Sequence, residues 1–77
     1  MTLTIAQAKS FYEAGFIEDF IIIRIEGCYS IHLGPQGKRR ILVDARTKTE
    51  RLFKSLDSAI ATLETIGFKI VTLGHAE

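Results

Sequence analysis

Seventy-seven residues, 47% hydrophobic and 25% charged with a formal net charge of +1, suit one hydrophobic core and argue against both a second domain and intrinsic disorder. A single cysteine, Cys28, rules out an intramolecular disulfide and a cysteine-based zinc site, and beside an apolar strand it reads as a small hydrophobe. The longest unbroken apolar run, Phe20 to Ile23, is far short of the roughly 18 residues of a membrane-spanning helix, and the first four residues lack the pattern of a signal peptide, so a cytoplasmic protein is expected.

Thr4 and Gln7 match the S/T-x-x-E/Q capping box, in which each side chain satisfies a free backbone N–H of the other residue at a helix start. Leu3 is placed to staple onto Ala8 or Phe11. Ile5, Ala8, Phe11 and Tyr12 recur at the spacing of one helical face, and Gly15 suits a left-handed helix terminus. A first helix is therefore predicted over about residues 5–14. The β-branched run from Phe20 to Ile25 predicts a strand over about residues 20–26, followed by a Glu26-Gly27 turn. Tyr29, Ile31 and Leu33 alternate with Ser30 and His32 in a second strand, about 28–33. Gly34-Pro35-Gln36-Gly37 makes a second turn, with Pro at its second position. Ile41 and Val43 alternate with Leu42 and Asp44 in a third strand over about 39–45, and Arg51 to Phe53 suggests a short fourth, about 50–53.

Ser55 precedes an apolar rhythm at Leu56, Ala59, Ile60, Leu63 and Ile66, with Asp57 in the first turn, where the helix dipole favours an anion. Gly67 ends this second helix, about 56–66, and Phe68 to Leu73 reads as a closing strand, about 68–73. The expected fold is α+β, ordered α-β-β-β-(β)-α-β: an antiparallel sheet of three to five strands with both helices on one face.

The first strand is apolar on both faces. A two-residue turn would pair Ile25 with Cys28 and set Phe20, Ile22 and Arg24 on the face of Tyr29, Ile31 and Leu33. A longer, bulged turn would put Ile21, Ile23 and Ile25 there instead, because one residue of slip flips every side chain. Either way large apolar side chains remain on the helix-free face. Phe20, Ile22 and Leu42 are the candidate interface residues, for self-association or for a protein partner.

Seven of the ten basic residues fall between Lys38 and Lys54, offset there by Asp44 and Glu50. Lys38, Arg39, Arg40, Arg46, Lys48 and Arg51 are the candidate nucleic-acid contacts, although the same charges serve solubility and edge protection. The only aromatic in that stretch, Phe53, is assigned to the core by alternation, so no base-stacking platform is indicated. A helix, three strands and a helix is also the order of double-stranded-RNA-binding domains. Those modules carry a run of lysines at the second helix, where this chain has Lys54 followed by Asp57, so the similarity stops at topology. His32 and His75 have no ligand-like spacing to Cys or carboxylates, no nucleophile–base pair can be named, and the glycines are isolated. No enzyme activity, metal, cofactor, small-molecule substrate or membrane partner is expected.

The opening Leu3 to Ala8 with Gly15, and the block Phe53-Lys54-Ser55-Leu56-Asp57 leading to Gly67-Phe68, resemble short plasmid-borne, ParC-like partition-associated accessory proteins. The shared pattern is a T-x-x-Q-A … G start and an F-x-S-L-D … G second helix; residues 34–48 have no counterpart in it. The resemblance implies an accessory protein of a mobile element in a bacterial cytoplasm and transfers no functional residue.

Overall fold

The computed structural model describes residues 2–34 and 37–69. Its elements run β1 (Thr2–Leu3), α1 (Ile5–Glu13), β2 (Phe20–Ile25), β3 (Cys28–Leu33), β4 (Arg40–Leu42), β5 (Leu52–Phe53) and α2 (Leu56–Ile66). The helix starts follow local chemistry. Thr4 N–H donates to Gln7 Oε1 at 3.0 Å and Gln7 N–H donates to Thr4 Oγ1 at 3.2 Å, completing the capping box. Ser55 Oγ accepts the Ser58 N–H at 3.1 Å to start α2.

The sheet is mixed, which corrects the expected antiparallel one. Its order is β1-β4-β3-β2, with β5 also on β3, and β1 runs parallel to β4 through Thr2↔Ile41 and Leu3↔Leu42. Val43 N–H adds a 2.8 Å bond to Leu3 O. A two-residue strand shows no periodicity, so local pattern does not reveal that Leu3, buried in one core with Ala8, is also a strand residue. The order of the described elements is accordingly β-α-β-β-β-β-α.

β4 and β5 together form one line of strand beside β3. β4 pairs with the end of β3 (His32↔Ile41, Leu33↔Arg40) and β5 with its beginning (Tyr29↔Phe53, Ser30↔Leu52). Between them the chain makes an excursion closed by a Val43–Glu50 bridge and by Arg51 N–H donating to Leu42 O at 3.0 Å. The strand expected over about 39–45 is thereby cut to Arg40–Leu42. Asp44 heads a turn instead, its Oδ1 accepting the N–H groups of Arg46 at 2.8 Å and Thr47 at 3.3 Å. Phe68 and Lys69 are not in a strand, and the rest of the expected closing strand, 70–73, lies outside the described residues.

The β2–β3 register decides what each face carries. Glu26 and Gly27 both have positive φ, 48° and 84°, the two-residue turn whose twist matches a hairpin. Ile25 therefore pairs with Cys28, and Phe20, Ile22 and Arg24 lie opposite Leu33, Ile31 and Tyr29. On this face Ile31, Leu33, Leu42 and Phe53 form the core with Ala8 of α1 and Leu63 of α2, so both helices cover the same side. Phe20 and Ile22 pack against that core and Leu42 has no exposed surface, which moves all three away from the helix-free face. Leu42 faces inward because β4 is in register with Leu3 and β3, an alignment invisible to local alternation.

Candidate functional site

The same register that buries Phe20 and Ile22 places Ile21, Ile23 and Ile25 on the helix-free face, opposite His32, Ser30 and Cys28. Ile41 lies opposite His32 on the other side of β3, and Leu52 lies opposite Ser30. The isoleucines are half-buried, and Leu52 is 48% exposed. Among the described residues no helix covers this face and its side chains are screened by their cross-strand neighbours, so they keep apolar surface in contact with water.

A small polar cluster sits within this apolar face. Ser30 is completely buried; its hydroxyl donates to Glu50 Oε2, and His32 Nε2 lies 3.2 Å from the same hydroxyl. Glu50 Oε2 is also 3.6 Å from His32 Nε2. The Val43–Glu50 bridge delivers the glutamate, since it turns the excursion back onto β3. In a nucleophile relay the acid orients one ring nitrogen while the other takes the hydroxyl proton. Here the carboxylate meets the hydroxyl and the same nitrogen, and the hydroxyl is covered. The arrangement satisfies a buried polar group inside an apolar surface.

The basic residues divide between the two ends of β4. Lys38 and Arg39 precede it, while Arg46 and Lys48 lie on the excursion beyond it. Two of the cations pack on aromatic rings of their own domain. Arg40 Cζ stands 5.2 Å from the Phe11 ring centroid and Arg51 Cζ 5.5 Å from that of Phe53. Arg51 also pairs with Asp44 at 3.2 Å. The Arg46 and Thr47 N–H groups hold the Asp44 carboxyl below its ordinary range, with the Arg51 and Arg46 charges adding to them. Both members of this ion pair are solvent-accessible, so it contributes little to stability.

One residue near the basic cluster has no signal in the sequence. Phe16 follows Gly15 in an irregular segment and is 72% exposed. Its ring meets Phe11 edge-on at 5.8 Å and borders a shallow hollow of about 130 Å³ shared with Ile17, Gly34, Lys38 and Arg40. Residues this far apart in the chain meet only because the segment after α1 lies beside Gly34, Lys38 and Arg40, so no local pattern announces them. Among the described residues no helix is long and apolar enough to cross a membrane, and no group of three or more His, Cys, Asp or Glu side chains is arranged to hold a metal.

No protein-family model, curated protein or solved structure matches the chain.

Proposed function

We propose that this chain is a non-catalytic protein-interaction module that self-associates through the isoleucines β2 carries on the helix-free side of its sheet. The observation that carries this reading is the alignment of Ile21, Ile23 and Ile25 along one strand of that face, with Ile41 and Leu52 across the sheet from them. Complete burial of such a side chain contributes about 1.5–3 kcal/mol, against an association cost of about 4–15 kcal/mol. Because the isoleucines are already half-buried, only the remainder is gained, and the association expected is weak and concentration-dependent. An accessory role on a plasmid or other mobile element is the setting that the family resemblance supports.

Sedimentation velocity or light scattering across a concentration series tests the proposal. The wild-type chain should pass from monomer to dimer as concentration rises. Ile23→Lys should stay monomeric while keeping its circular dichroism spectrum, since the substituted side chain faces away from the core. A wild-type chain that remains monomeric into the millimolar range would sink the proposal, as would an Ile23→Lys variant that dimerises as well as wild type.

A second reading, nucleic-acid binding, is favoured by one observation: the exposed Phe16 ring beside Lys38 and Arg40. A stacked base contributes about 1–3 kcal/mol, and phosphate contacts make binding salt-dependent. Fluorescence polarisation at low salt should then show single-stranded DNA or RNA binding that weakens roughly tenfold in Phe16→Ala. Absence of binding to single strands and duplexes alike removes this reading.

A further inference from the structure

The sheet order leaves β2 as a terminal strand, and among the described residues no backbone pairs with its outer edge. Proteins protect such edges by keeping them short, by bulges, by proline, or by charges. The opposite terminal strand, β1, is only two residues long. β2 has six residues in unbroken register with β3, no proline, and a single charged residue, Arg24. Among the described residues that edge offers regular N–H and C=O groups with no backbone partner, the Phe20 N–H alone being held by Asp19 Oδ1 at 2.8 Å. It is flanked by isoleucines, which suits it to accept another strand.

We infer that the second copy joins at this edge, with β2 pairing antiparallel to its own counterpart about a two-fold axis at Ile23, so that two sheets become one. This rests on the self-association proposed above and specifies its geometry. A two-fold axis normal to the sheet keeps each side chain on its own face, so directly facing residues must differ by an even number and the axis must pass beside a residue. Centred on Ile23, it sets Ile21 against Ile25 of the second copy, Ile23 against itself, and Arg24 against Ile22. All six isoleucines of the helix-free face then form one band, and no like charges face each other. Centred on Ile22, it would set Arg24 against Phe20 and leave Ile25 outside the paired segment. The Ile23-centred register is therefore the better apolar match. It also places the helices of both copies on the same side of the joined sheet.

Amide hydrogen exchange by NMR on the full chain reads this geometry directly. In an antiparallel strand alternate N–H groups point to opposite edges, so half of the β2 amides should lie free of β3. The outward amides of Ile22 and Arg24 should exchange rapidly in dilute solution and at least tenfold more slowly at concentrations where the dimer forms. A dimer whose outward amides stay rapid overturns the edge pairing while leaving self-association standing. A monomer at all concentrations overturns both. Protection that does not depend on concentration, as an intrachain strand would give, also overturns the edge pairing.

Oxidative cross-linking provides a second, independent reading in a Cys28→Ser background. Ile23→Cys should form a linked dimer readily. Ile41→Cys should not, because β4 lies five strand spacings, about 24 Å, from its counterpart in the joined sheet. Equal cross-linking at both positions would indicate stacked faces and overturn the inference, as would cross-linking at neither.

Discussion

Gly67→Ala should lower the stability of this domain by about 3 kcal/mol, the sum of a conformational and a steric cost. Gly67 closes α2 at φ 136°, with its N–H donating to Leu63 O at 3.1 Å. That conformation strains any L side chain, at about 1–2 kcal/mol. A methyl group there would also lie 2.7 Å from Tyr12 Cδ2 and 2.8 Å from Cε2. The ring cannot simply retreat, since its centroid is 4.6 Å from that of Phe68, which in turn meets Phe20 at 5.0 Å. Overpacking of this kind costs about 1–3 kcal/mol. A urea titration should show a lower midpoint at unchanged slope, with the melting temperature reduced by more than about 10 °C. Gly27→Ala is the control. Its φ of 84° carries the conformational cost, but an added methyl would meet nothing within 4 Å. Equal losses at the two glycines would refute the steric contribution of Tyr12.

Leu42→Ala should cost about 2–5 kcal/mol, the range for a fully buried leucine whose removal leaves a cavity. Leu42 has no exposed surface and belongs to the same core as Leu3, Leu33 and Leu63. For a domain whose total stability is of the order of 5–15 kcal/mol, that loss is a large fraction. If Leu42 instead faced outward as an interface residue, truncation would change monomer stability by no more than about 0.5 kcal/mol and would show up in the oligomeric state. Denaturant unfolding combined with light scattering separates the two outcomes. Stability should fall sharply, and the monomer–dimer balance of the remaining folded protein should stay near that of wild type.

Both residues show how far local signals reach. The ends of α1 and α2 were legible because capping is a short-range exchange of hydrogen bonds. Thr4, Gln7, Ser55 and Gly67 announce it through residue type alone. β2 and β3 were legible from β-branched composition and alternation, and the Glu26-Gly27 turn from its dipeptide. The strand expected over about 39–45 was legible only as far as Leu42. Asp44 fits the alternation of a strand, yet its side chain accepts two backbone N–H groups ahead of it and turns the chain away. Alternation cannot register that competition between side chain and ladder. The candidate surface was legible in kind, as a surplus of apolar residues on the helix-free face, and not in identity, since Phe20 and Ile22 exchange places with Ile21 and Ile23.

The sequence by itself determined that this is an α+β domain with two capped helices, a β2–β3 hairpin and an excess of isoleucine in its first long strand. Those features rest on contacts within a few residues of each other, so residue types and spacing suffice to specify them. Only the tertiary structure decided that β1 runs parallel to β4, that Leu42 is core, that Glu50 reaches Ser30 and that Phe16 stands beside Arg40. Each joins segments distant in the chain, and such pairings depend on which register lets the whole core close. β2 illustrates the division. Its composition marks a strand apolar on both sides, and the fold sends Phe20 and Ile22 inward, leaving Ile21, Ile23 and Ile25 facing outward at the edge of the sheet.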